Sequence, residues 1–167
     1  RDNKRYEPKY IKPKAIKPQN GAKIKGLLNP EAKMGKSGDD PNNMILLSDS
    51  DEEITKKLKR AVTDSLAQIK FDEINQPGVS NLLTIIAACE NKTIEEVVDE
   101  LKGQNYGALK KRATETVLNT IRPIREKYEY YLSHKEELMK IINKGANKAQ
   151  RITLETLERA KHNMGLI

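Results

Sequence analysis

Residues 31–43 read EAKMGKSGDDPNN. Lys33 and Lys36 stand three apart, Gly35 and Gly38 loosen the backbone around them, and Ser37 adds a hydroxyl. Phosphoryl and nucleotidyl transfer build negative charge on a polyphosphate. Two ammonium groups can neutralise that charge while a hydroxyl donates to an oxygen. A loop that cannot pack as helix or strand can close over such a substrate and reopen. In K-M-x-K-S, Met34 would be the apolar anchor that turns inward while Lys33 and Lys36 face the phosphates. A Walker-type phosphate loop is excluded. Its first glycine would fall on Pro30, and the string runs into Gly38-Asp39-Asp40-Pro41 instead of directly into a helix. Other chemistries find little support. The single Cys89 cannot form an internal disulfide, lies in an apolar run and reads as core. With it, His134 and His162 make no zinc-ligand spacing, and both read as cap or surface residues.

The elements around the loop are legible from pattern. Pro8, Pro13, Pro18 and Pro30 keep residues 1–30 extended. AKIKGLL (22–28) alternates as one short strand would, and MILLS (44–48) is a second apolar run, strand-like or a buried link. Helical patterning begins at Ser50, which forms a capping box with Glu53 ahead of an apolar face of Ile54, Leu58, Ala61 and Val62. GVSNLLTIIAAC (78–89) predicts a buried helix. Thr93 and Glu96 box the next helix, which carries Ile94, Val97, Val98 and Leu101 and stops at Gly103. A further helix runs from Tyr106-Gly107 to about Leu132, with a kink expected at Pro123. Ser133 and Glu136 predict a third box opening a last helix over 134–164, with a break at Lys144-Gly145 and a stop at Gly165. The expected fold class is mainly α: a bundle of about five to six helices, preceded by an extended arm with one or two short strands and the lysine loop. The expected division is 1–49 for arm, strand and loop, and 50–167 for the helical body.

Charge is concentrated ahead of that body. Residues 1–36 hold 11 Lys/Arg against three acids, a net +8, which leaves −1 for the rest of a chain whose total is +7. Such an arm attracts polyanions. No stretch approaches the roughly 18 apolar residues of a membrane span, so no membrane partner is expected. The first thirty residues contain no apolar leader core, which with the lone cysteine predicts a cytoplasmic setting.

KMGKS (33–37) resembles the KMSKS motif of class I aminoacyl-tRNA synthetases. The flanks narrow the resemblance to the bacterial-type tryptophanyl-tRNA synthetase family. NGAKIKGLLNPEAKMGKS is similar to that family's G-A-R-I strand, link and loop. AVTDS (61–65), PGVSNLL (77–83), NYG (105–107), RPIREKY (122–128), GANKAQ (145–150) and MGL (164–166) follow in the family's order. The resemblance covers residue 20 to the end. Two positions depart from it: Gly35 replaces the motif's middle serine, and Gly38 stands where the family usually has Asp.

The resemblance implies an ATP-dependent ligase that attaches tryptophan to its tRNA through tryptophanyl-adenylate. The chain would supply the C-terminal half. The nucleotide-binding Rossmann domain, with the tryptophan pocket, would lie outside it, so the chain alone is expected to be inactive. Lys33, Met34, Gly35, Lys36 and Ser37 would belong to the site for ATP with Mg2+. Lys36 and Lys33 would be the catalytic lysines, and Ile24 would lie beside adenine through its backbone. The helical body would read the anticodon region of tRNA(Trp) through Arg122, Arg125 and Tyr128, with Tyr130, Tyr131 and Lys110-Lys111-Arg112 as further candidates. The full-length enzyme is expected to be a homodimer. The rival reading is a non-enzymatic RNA-binding helical module with a basic arm, which leaves the KMGKS loop without a purpose.

Overall fold

The computed structural model describes residues 13–16, 21, 23–35 and 40–167. Among these described residues there are five α-helices: α1 (Asp51–Arg60), α2 (Pro77–Glu90), α3 (Ile94–Glu100), α4 (Tyr106–Ser133) and α5 (Lys135–Asn163). The chain divides into two units, Lys17–Lys127 on one hand and Arg1–Ile16 with Tyr128–Ile167 on the other.

The first unit is built around α2. Its sequence, PGVSNLLTIIAACE, carries almost no charge, and Val79, Leu82, Leu83, Ile86 and Ala87 are each at most 1% exposed. A helix apolar on every side has to be surrounded. Ile54 and Leu58 of α1, Val97 of α3 and Leu109, Ala113 and Val117 of α4 complete one cluster with it. Gly78 permits the seating, because a Cβ there would lie 2.1 Å from the Val62 carbonyl oxygen. Both predicted capping boxes on α1 and α3 form. Ser50 accepts from Glu53 N and Glu53 from Ser50 N, and Thr93 and Glu96 do the same. On α1, Lys57 joins Ile54 and Leu58 in the interior, where its ammonium meets buried Asp49 at 2.6 Å. Val62, expected on the apolar face, is exposed, because the helix stops at Arg60 and its amide turns to the Leu27 carbonyl.

The expected strands are not formed among the described residues. Residues 23–35 make a tight hairpin with a single antiparallel bridge, Lys25 to Lys33. Its rungs are Gly26 N to Ala32 O and Met34 N to Ile24 O, both 3.0 Å. The turn at Asn29-Pro30-Glu31 is too close for a longer ladder, and side chains take the outer backbone groups. Asn81 pairs with Lys25, and Asn43 Oδ1 accepts from Leu28 N and Asn29 N. Residues 44–48 have no strand partner either. Met44 is buried, and Leu46 N donates to the Asp49 carboxylate.

In the second unit, α5 runs unbroken through Lys144-Gly145. Ten helical residues precede that glycine and eighteen follow it, so cooperative propagation outweighs one glycine's cost of about 1 kcal/mol. The third capping box is also absent. Ser133 is the last residue of α4, and its hydroxyl donates to Tyr130 O at 2.8 Å. The N-cap of α5 is His134, whose ring stacks on Tyr130 at 4.0 Å and contacts its carbonyl through Nδ1 at 2.8 Å. At the other end Gly165 adopts φ +68°, and Leu166 N and Gly165 N reach back to Lys161 O and His162 O in a Schellman closure.

Candidate functional site

The lysine loop leaves the hairpin at its bridged end. Lys33 is exposed on the rung opposite Lys25, whereas Met34 and Ile24 are half-buried and pack on the core. Gly35 is exposed, and a Cβ there would meet only the Lys33 carbonyl oxygen, at 3.9 Å. Lys36 and Ser37 lie outside the described residues. Description resumes at Asp40, which caps a 3-10 turn, Pro41–Asn43, by accepting from Asn42 N at 2.8 Å. That bond holds the Asp40 carboxyl below its ordinary range. Asn43 then returns to the hairpin through its carbonyl, which accepts from Leu27 N, and through its side chain. Met34 on the near side and Asn43 on the far side of residues 36–39 are therefore both bonded to the hairpin.

The Ile24 carbonyl is occupied by Met34 N. Beside it opens a cavity of about 200 Å³ lined by Ile24, Met34, Ile45, Ile85, Cys89 and Ile121. Cys89 is thus corrected from the expected core position: it is exposed at the last turn of α2. The apolar run around it predicts burial, but the helix turns this face toward the loop side.

The proposed RNA contacts fall in different settings. Arg125 is mostly covered, and its guanidinium binds the Asp51 carboxylate and the Asp49 carbonyl. Arg122 binds the same carboxylate at 2.7 Å from a half-exposed position. The two arginines, Arg125 first, hold Asp51 below the ordinary carboxylate range. They tie α4 to the first turn of α1. Tyr128 is 55% exposed, and Tyr130 donates to Glu137 at 2.9 Å. Arg112 makes a two-pronged pair with Glu90 at 2.9 and 2.8 Å. Lys110 donates to Lys59 O and Lys111 faces Glu115.

One feature escapes sequence reading. Lys56, Lys59 and Arg60 of α1 and Arg122 of α4 line a cleft of about 590 Å³ with Asp51, Glu52, Thr55 and Leu118. The spacing of 56, 59 and 60 does place them on one helix face, but Arg122 is joined to them only by packing.

Comparison with known proteins matches these features to one group. Residues 2–122 fit the family described as tRNA synthetases class I (W and Y). A tryptophan–tRNA ligase of Halalkalibacterium halodurans is 43% identical over 99% of the chain and 50% of its own length. One from Bacillus subtilis is 41% identical with the same coverage. The chain spans about half the length of the curated relatives it matches. Tryptophanyl-tRNA synthetase from Mycoplasma pneumoniae superposes with a TM-score of 0.75 at 31% identity, over 86% of this chain and 45% of that one. The Campylobacter jejuni enzyme, solved with ADP and tryptophan, gives 0.62 at 27% over 98% and 50%. Matched over residues 2–122, the chain belongs to the class I tRNA synthetases of the tryptophan and tyrosine family.

Proposed function

We propose that this chain is the loop-bearing and tRNA-binding half of an ATP-dependent ligase that joins tryptophan to its tRNA through tryptophanyl-adenylate. The observation that carries this reading is the KMGKS string following a hairpin, residues 23–35, that is bonded to Asn43 and Asn81, in a chain 43% identical to a tryptophan–tRNA ligase over 99% of its length. In it, residues 1–49 close the catalytic domain and 50–167 bind tRNA(Trp). ATP, with Mg2+ on its phosphates, would bind where Lys33, Met34, Gly35, Lys36 and Ser37 meet a Rossmann domain that also holds tryptophan. The whole protein would be a cytoplasmic homodimer.

The lysines' contribution is electrostatic. Attack of the tryptophan carboxylate on the α-phosphorus shifts charge onto the pyrophosphate that leaves. Lys36, and Lys33 beside it, would neutralise that charge as the loop closes and water is excluded. Met34, packed on the core, gives the closing segment an apolar hinge. Ile24 would border the adenine. On the tRNA side, Tyr128 is exposed enough to stack on a base, and Arg122 and Arg125 would act close to it in sequence, through their hold on Asp51.

The test is tryptophan-dependent ATP–pyrophosphate exchange by the whole protein that contains this chain. Lys36→Ala should lower turnover roughly 10²–10³-fold with little change in the Michaelis constant for ATP, as loss of a contact made mainly in the transition state does. Absence of exchange in the unaltered whole protein, or robust exchange by these 167 residues alone, would overturn the reading.

A further inference from the structure

We propose that Asn81, on α2, is a positioning residue for the lysine loop: its buried amide grips the backbone of Lys25 and through it fixes Lys33. Asn81 is 5% exposed and sits among Val79, Leu82 and Leu83, where an apolar residue would pack without polar cost. A buried amide is tolerated when its hydrogen bonds are made. Among the described residues, its side-chain bonds go to two adjacent residues of the hairpin. Lys25 N donates to Oδ1 at 2.9 Å. Nδ2 donates to Lys25 O at 2.9 Å and to Gly26 O at 3.4 Å. The side chain therefore offers Lys25 what a neighbouring strand residue would, one donor and one acceptor at once.

The consequence runs along the hairpin. Lys25 is bridged to Lys33, and the next rung, Met34 N to Ile24 O, is the last described hydrogen bond before the loop. Asn81 thus ties the take-off point of the loop to the most buried helix of the unit. Asn43 fixes the opposite edge of the same hairpin, at Leu28 and Asn29. A group that needs ångström placement in the transition state benefits from rigid support behind it, since a shift of about 1 Å costs up to roughly 10²-fold in rate. Asn81 touches neither substrate nor the loop lysines' ammonium groups; it acts through Lys25 and Lys33.

The inference rests on the ligase reading for its catalytic arm only. Asn81→Asp keeps the acceptor for Lys25 N but sets a carboxylate oxygen against the Lys25 and Gly26 carbonyls. In the whole protein, amide hydrogen exchange at Gly26 and Met34 should quicken at least about 10-fold, while amides within α2 and α4 keep their protection. Turnover in pyrophosphate exchange should fall roughly 10–10²-fold, with the Michaelis constant for tryptophan within about 2-fold of the unaltered protein. Asn81→Ser, smaller and still able to make one of the bonds, should give the same pattern more weakly, and it carries the test if Asn81→Asp does not fold. Unchanged protection at Gly26 and Met34 in a folded variant overturns the proposal, and so does an acceleration spread equally over the helices. Unchanged turnover alongside lost local protection overturns the catalytic arm. If the unaltered protein shows no exchange activity, the ligase reading has failed, and the amide measurements still decide the clamp.

Discussion

Single carboxylates carry much of the polar organisation. Glu90, at the end of α2, receives Arg112 on both oxygens, Thr116 at 2.6 Å and Lys92 at 3.0 Å. Arg112 and Lys92 also reach Glu100, the last residue of α3. The Arg112 bonds foremost pull the Glu90 carboxyl down from 4.5 to about 2, against a smaller opposing effect of burial. Because the folded value lies below the unfolded one, the stabilisation is complete above 4.5 and is lost as the pH falls from there towards 2. Urea midpoints measured from pH 6 down to 3 should therefore fall, and Glu90→Gln should be destabilised at pH 6 and show a flatter pH profile. An equally steep profile in that variant would assign the acid sensitivity to other carboxylates. Neither the bonds of Arg112 and Thr116 to Glu90 nor the grip of Arg125 on Asp51 is visible in the sequence, because these partners lie more than 20 residues away along the chain.

At the scale of elements, two glycines in helices have opposite meanings. Gly78, in the first turn of α2, faces the Val62 backbone, and the carbonyl it would strike cannot rotate aside as a side chain could. Gly78→Ala should cost about 3 kcal/mol, the upper range of core overpacking, read as a lowered urea midpoint. Gly145 lies in α5 with nothing within 4 Å of a Cβ. Gly145→Ala should instead stabilise α5 by roughly 0.5–1 kcal/mol, seen as slower amide exchange in that helix. Destabilisation there would mean that this face of α5 is packed on a partner. The same contrast explains which helix signals could be read from sequence. The boxes at Ser50 and Thr93 are local devices and form as patterned. The one at Ser133 fails because α4 reaches that residue and claims its hydroxyl for Tyr130 O.

For the molecule as a whole, the described buried side chains run from Leu27 to Ile121, and none belongs to α5. Removing residues 134–167 should therefore leave cooperative unfolding in place, with Tm lowered by less than about 4 °C, the shift made by roughly 1 kcal/mol in a chain of this size. A larger loss would show that the second unit supports the first. If that unit reads tRNA, as proposed, affinity for tRNA should drop in the same truncated protein while the salt dependence contributed by the basic arm persists.

The sequence by itself determined the helical class, the buried character of α2, the caps of α1 and α3, the stop at Gly165 and the family. All of these rest on short-range patterns: apolar periodicity, i to i+3 side-chain bonds, and strings of fixed order. Only the tertiary structure decided that Lys25 and Leu28 bond side chains in place of a strand partner, that Lys57 is buried and Val62 exposed, and that Cys89 faces out beside Met34. The same holds for Asn81. In the string PGVSNLL it is one of two polar residues, beside Ser80, in an apolar run. Its meaning comes from the Lys25 backbone, 56 residues earlier, which only the packing of α2 against the hairpin brings within 2.9 Å.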